Sequence, residues 1–166
     1  MYQKLTSAKS TGLITQGDSM ALTKAELTKR LDKLVSVLVR FRDVKCCTCG
    51  KYLLFNKREA GHYIPRIVLE TRWDLRNVNT QCHECNVGKA GNLIPYRQYI
   101  NKVYGPEALQ SLDNALLLYN AGLSPKMTLT RLIGLYNTFL RQVRQRELLT
   151  GKEFIPKSWE CYNKED

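Results

Sequence analysis

The sequence predicts an α+β fold: a small zinc-clipped centre built on short strands, with amphipathic helices before and after it. Three observations carry that expectation. Two Cys-x-x-Cys pairs, Cys46/Cys49 and Cys82/Cys85, bracket the middle of the 166-residue chain. Apolar residues recur at three-and-four spacing on both sides of them, as helices that bury one stripe require. Between the pairs, KYLLFN (51–56) and AGHYIPR (60–66) read as two short strands joined by KRE.

Residues 1–22 are rich in Ser, Thr, Gly and Lys with no apolar period, and read as a mobile arm. A basic helix follows within 23–45. Thr23 and Glu26 fit a capping box, in which each side chain satisfies a backbone N–H left free in the first turn. Leu27, Leu31, Leu34, Leu38 and Phe41 supply its buried stripe. Lys24, Lys29, Arg30, Lys33, Arg40 and Arg42 decorate the remainder, as a solvated face or one turned to DNA. Residues 46–92 form the cysteine-bracketed core, and a helical region covers 93–150. There, Pro95 to Tyr104 reads as a short helix stopped by Gly105. Pro106 suits a first helical turn, and Ala108, Leu109, Leu112, Leu116 and Tyr119 continue a stripe towards Gly122. A last helix, from about Thr128 to Leu149, places Leu129, Leu132, Ile133, Tyr136, Leu140 and Val143 on one side, with Arg131, Arg141, Arg144 and Arg146 elsewhere. The tail, 151–166, mixes Trp159 with charges and shows no pattern.

A net charge of +11 favours a polyanionic partner, nucleic acid before an anionic membrane. No apolar run approaches the ~18 residues that cross a bilayer, and the first twenty residues lack the apolar segment of a signal peptide. The expectation is a soluble intracellular protein with no membrane partner. In a reducing compartment, six cysteines point to metal or free thiols over disulfides. The two pairs, 32 residues apart, together offer four thiolates for a tetrahedral, structural Zn²⁺. Such a closed site is a clip, not a catalyst. Cys47 and Cys161 read as ordinary thiols, and His83 as an exposed bystander or outer neighbour of the metal.

His62 is one of two histidines, and alone it would read as a core histidine. Its surroundings say more: a Cys-x-x-Cys pair, Gly61-His62 on the second strand, Asn77 five residues before Cys82, and Asn86 directly after Cys85. This order resembles the HNH (ββα-metal) nuclease family. The segments VRFRDVKCCTCGK, AGHYIPR, RWDLRNVNTQCHECN and GNLIPYRQYINKVYG more closely resemble the NinG, or Rap, recombination proteins of lambdoid phages, over approximately residues 30–145. The resemblance implies His62 as general base, Asn77 as a structural asparagine holding the hairpin or base loop, and Asn86 as ligand of a catalytic Mg²⁺ or Mn²⁺. The chemistry is compatible: an imidazole near pKa ~6.5 can take a proton from water at neutral pH, and an amide oxygen suits a hard divalent cation.

One position departs from the family pattern. Many HNH enzymes carry Asp or His just before the base, where this chain has Gly61. Either Asn86 holds the metal with waters and phosphate oxygens, or Glu70 or Asp74 folds in as the missing carboxylate. Arg66 shares the His62 face by strand alternation and could stabilise the pentacovalent phosphate. Lys89, Arg72, Arg76, Arg97, Arg141 and Arg144 are further candidates to contact DNA phosphates, and Tyr96 could line the groove. Trp73 reads as core. The expected function is a metal-dependent DNA endonuclease, by resemblance selective for branched DNA such as Holliday junctions and D-loops, and active in the cytoplasm of a bacterial host. The alternative is a non-catalytic zinc-clipped DNA-binding module, and a homodimer is compatible with either.

Overall fold

The computed structural model describes residues 22–159; those are mostly helical, with one two-stranded antiparallel sheet and a cluster of four cysteines. The expected arm, apart from Leu22, lies outside the described residues, as do Cys161 and the end of the tail. Helix α1 spans Lys24–Arg42, and its capping box is present, with Thr23 Oγ1 accepting from Glu26 N at 3.2 Å and Glu26 Oε2 accepting from Thr23 N at 3.0 Å. Helices α2 (Leu93–Tyr104), α3 (Pro106–Asn120) and α4 (Leu129–Thr150) follow the cysteine core. Gly105 serves both α2 and α3, with φ +87°, a conformation that side chains rarely adopt.

The strands are not both where the sequence places them. Strand β1 is Glu59–His62 and β2 is Val78–Gln81, paired antiparallel with Glu59 opposite Gln81 and His62 opposite Val78. KYLLFN forms no strand. Its backbone closes the first cysteine turn instead, through Cys46 N to Lys51 O at 2.8 Å and Leu53 N to Val44 O at 3.0 Å, and Phe55–Lys57 then forms a single 3₁₀ turn. KRE is therefore no inter-strand turn, and Glu59 belongs to β1. The first strand also ends at His62, so alternation does not extend to residue 66: Ile64 is buried and Arg66 exposed.

Apolar side chains gather in two main cores. In one, Leu27, Leu31, Leu34 and Leu38 of α1 pack against Tyr136, Leu140 and Val143 of α4, closed by Trp73 and Val78. In the other, Tyr96 and Ile100 of α2 and Leu109 and Leu112 of α3 enclose Ile64 and Val68. Helix α1 also packs on both strands. Arg42 fixes it there, donating to the Leu75 and Val78 carbonyls and to Asn79 Oδ1, while Asp43 accepts from Thr80 N.

Asn77 organises the long connection between the strands. It is fully buried, accepts from Ile64 N at 2.7 Å through Oδ1, and donates through Nδ2 to the Ile64 and Thr71 carbonyls at 3.1 and 3.0 Å. Every one of its side-chain bonds goes to backbone that has no ladder partner. Asn77→Ala leaves the Ile64 N–H and carbonyl buried and unpaired, at about 1–3 kcal/mol for each that cannot find water, whereas the Thr71 carbonyl keeps its bond from Asp74 N. Denaturant unfolding of the zinc-loaded variant should therefore show a loss of roughly 3 kcal/mol or more; a loss below about 1 kcal/mol would show that Asn77 does not hold the loop.

Candidate active site and metal cluster

The sulfur atoms of Cys46, Cys49, Cys82 and Cys85 all lie within 4.8 Å of one another. Cys49 and Cys82 Sγ are 3.8 Å apart, and a tetrahedron with Zn–S bonds of ~2.3 Å has an edge of about 3.8 Å. The four cysteines are thus close enough together to hold a zinc ion. Two tight turns present them: Gly50 N bonds to Cys46 O in the first, with Gly50 at φ +75°, and Asn86 N to Cys82 O in the second. The second turn continues as the π-helical segment Glu84–Gly88. Although burial opposes ionisation, the Thr48 hydroxyl and backbone N–H groups bring the Cys46 thiol down to about 6. Burial, with the neighbouring thiols, pushes Cys49 up to about 12 and Cys82 in the same direction. One thiolate forms readily, and Cys49 and Cys82 need a cation beside them. Cys47 is no ligand; burial raises its pKa, and its N–H donates to Thr80 O, docking the first turn on β2.

A cleft of about 710 Å³ opens beside the sheet, lined by His62, Arg66, Asn86 and Arg97 together with apolar residues including Ile64 and Leu93. The structure therefore brings together four of the residues singled out in the sequence. His62 Nε2 lies 3.0 Å from the Arg72 carbonyl oxygen. A carbonyl can only accept, so Nε2 carries the proton and, in the neutral ring, Nδ1 carries the lone pair; the Ala60 carbonyl also lies close enough to favour the protonated form. Burial, followed by the Arg66 guanidinium, lowers the His62 pKa to about 4 against the opposing effect of the Arg72 carbonyl. At neutral pH the ring is uncharged.

The remaining basic candidates are elsewhere or engaged. Arg72 makes a two-point ion pair with Asp32 at 2.9 and 2.7 Å, and Arg76 pairs with Asp74 at 2.6 Å. Lys89 is exposed and 3.0 Å from Glu84. Arg97, at the cleft, bonds Asp113 at 2.6 Å and the Tyr63 hydroxyl at 2.8 Å. Arg141 is exposed on α4, whereas Arg144 clasps Glu147 and the Pro156, Lys157 and Trp159 carbonyls. Tyr96 does not line a groove: it is fully buried and donates to Gly61 O at 2.9 Å. Trp73 is core, as expected, with its indole N–H on Asp32 at 2.8 Å.

Asn86 donates through Nδ2 to Glu59 Oε2 at 2.8 Å, and Glu59 Oε1 is 2.8 Å from His83 Nδ1. Burial opposes it, yet those two bonds hold the Glu59 carboxyl below its usual range. Glu59 is the acid that the sequence did not single out beside Asn86. Glu70 lines a separate groove with Trp73 and Ser124, and Asp74 is taken by Arg76. The signal was present: Glu59 stands three residues before His62, but only a strand covering 59–62 makes that spacing meaningful. His83, although exposed, is tied to this acid and is not a bystander. The hard oxygens of Asn86 and Glu59 fit Mg²⁺ or Mn²⁺ better than a softer metal.

The family model described as Bacteriophage Lambda NinG protein matches residues 17–145, from ahead of α1 into α4. The protein named Protein ninG of Escherichia phage 933W is 37% identical over 90 residues, covering 52% of this chain and 44% of its own. Its namesakes in Escherichia phage lambda and Salmonella phage P22 are each 34% identical over 89 residues, covering 52% of this chain and 43% of their own. The chain thus spans less than half the length of the curated relatives it matches. No solved structure matches it. The family model covers the cysteine cluster, the His62 cleft, helices α1 to α3 and most of α4, and the chain belongs to the NinG family.

Proposed function

We propose that this protein is a zinc-clipped endonuclease of the HNH (ββα-metal) type, hydrolysing phosphodiester bonds in DNA with a divalent metal. The observation that carries this reading is the state of His62: one ring nitrogen is fixed on the Arg72 carbonyl, and the other is left as a base in a cleft that also holds Asn86 and Arg66. A module that only binds DNA has no need of a neutral, oriented imidazole beside a metal-binding amide. In the proposed reaction a water held at His62 Nδ1 attacks the phosphorus, its proton passes to Nδ1, and the bond to the leaving 3′ oxygen breaks, that oxygen being protonated from solvent. Asn86 would hold the Mg²⁺ or Mn²⁺, which when bound neutralises charge on the scissile phosphate and the leaving oxygen. Arg66, exposed at the rim, orients the phosphate and offsets charge as it develops. Arg97 adds a second cation there once a phosphate competes for its bond to Asp113.

Branched DNA is the proposed substrate. Lys24, Lys29 and Lys33 of α1 and Arg131, Arg141 and Arg146 of α4 are exposed on helices that pack on one another, a basic surface able to take more than one duplex arm. Recognition through backbone charge and shape suits such a surface better than base reading.

Metal analysis of the purified protein should find about one tightly held zinc per chain, lost together with the ordered centre in Cys82→Ser. Its absence would remove the clip. His62→Ala should abolish Mg²⁺- or Mn²⁺-dependent cleavage of four-way junctions while leaving zinc content and junction binding near wild type; cleavage that persists would rule out His62 as the base. The His62 pKa also predicts a pH effect. Its folded value, about 4, lies below the unfolded ~6.5, so the unfolded chain takes up a proton first and stability contributed by neutral His62 is lost as pH falls through that window. An NMR titration should show its ring uncharged from pH 8 to about 5.5, and a midpoint near 6.5 would contradict the buried environment.

A further inference from the structure

Gly61, at the position where many HNH enzymes carry Asp or His, cannot carry a side chain here. A Cβ would fall inside contact distance of Gln81 Oε1, with Gln81 Cδ only 2.7 Å away. Gln81 itself has no freedom to withdraw. Its Nε2 donates to the Gly91 carbonyl at 2.7 Å and to Thr48 Oγ1 at 3.3 Å, which turns the carbonyl end towards Gly61, where it is buried without a hydrogen-bond partner. The next side chain on that side of β1 is two residues back, at Glu59, directly opposite Gln81 in the ladder.

We propose that Glu59 is the carboxylate ligand of the divalent cation at Asn86, with His83 a positioning residue that holds the carboxylate by its second oxygen; this rests on the nuclease reading above. The Glu59 and Asn86 side chains are already in contact at 2.8 Å. A half-turn of the Asn86 amide exchanges its NH₂ for its oxygen, so both groups then present oxygen to a cation held between them. Charge argues the same way. The chain carries +11 overall and Arg66 and Arg97 line the cleft, so a neutral amide alone would hold a dication poorly. Mg²⁺ and Mn²⁺ sites typically use one or two carboxylates, with water and phosphate oxygens completing the shell. The other acids near the sheet are spoken for: Asp32 by Arg72 and Trp73, Asp43 by Arg42, Asp74 by Arg76, Glu84 by Lys89.

Mn²⁺ titration of the zinc-loaded full chain, read by the EPR signal of free Mn²⁺ with and without junction DNA, tests the assignment. Glu59→Gln should weaken Mn²⁺ binding by at least about tenfold, the lower end of what losing even an outer-sphere partner costs, with zinc content unchanged. His62→Ala should bind Mn²⁺ as wild type does. In the wild-type protein, Mn²⁺ should broaden the NMR signals of Glu59 and Asn86 ahead of those of Glu70 and Asp74, a readout that stands even where the Glu59 variant misfolds. Wild-type affinity in Glu59→Gln alongside a loss in Asn86→Ala, or broadening that spares Glu59, overturns the Glu59 assignment and leaves the nuclease reading standing. Failure of the wild type to bind Mn²⁺ even with DNA overturns both.

Discussion

The structure hangs on a short run of buried polar residues, Asn77 to Gln81, in which Asn77, Asn79, Thr80 and Gln81 are all completely enclosed. Burying so much polarity is costly unless the groups find partners, and here, Gln81 Oε1 apart, the partners come from every neighbouring element. Asn77 ties the loop after His62, and Asn79 accepts from Arg42 of α1 and Tyr104 of α2. Thr80 bonds the end of α1 and receives the first cysteine turn, while Gln81 reaches Thr48 and Gly91 on either side of the metal cluster. One strand therefore sets the mutual positions of the helices, the cysteines and the histidine. Because unpaired polar groups at this depth are heavily penalised, alternative registers are excluded more firmly than an apolar strand would exclude them.

That strand also explains how two functionally different centres share one small segment. The turn that presents Cys82 and Cys85 continues directly into Asn86, so an ion clipped at the cysteines would fix a residue that lines the His62 cleft. Asn92 extends the link, its side-chain amide donating to Cys85 Sγ at 3.7 Å. The cysteine turns, able to hold a zinc ion, lie next to the cleft lined by His62, Arg66 and Asn86.

The positive charge divides into two populations that a sequence cannot separate. Arg30, Arg40 and Arg42 of α1 are structural: Arg30 lies against Tyr136 and Trp159, Arg40 over Phe55 with a bond to its carbonyl, and Arg42 across β2. Arg72 and Arg144 are held by Asp32 and Glu147. The lysines of α1 and Arg131, Arg141 and Arg146 of α4 remain exposed. Guanidinium favours the interior role because its planar fork satisfies carboxylates and carbonyls together, while a lysine ammonium keeps its water.

Helix positions were legible in the sequence because each depends on a local period and local caps, and Thr23, Glu26, Gly105 and Pro106 mark their ends with side-chain chemistry that acts within one turn. The four cysteines were legible for the same kind of reason: tetrahedral ligation demands paired spacing. His62, Asn77 and Asn86 were recognisable as a set by their order along the chain. Strand pairing was not, since KYLLFN has the composition of a strand but its backbone is engaged by the cysteine turn, and only the fold brings VNTQ opposite EAGH. With the wrong partner strand, Glu59 read as part of a turn and its place beside Asn86 was hidden. Periodicity and spacing are written in neighbouring residues and so were determined by the sequence alone. Which strand pairs with which, which arginines are buried, and which carboxylate stands beside Asn86 depend on groups brought together from distant parts of the chain, and those only the tertiary structure decided.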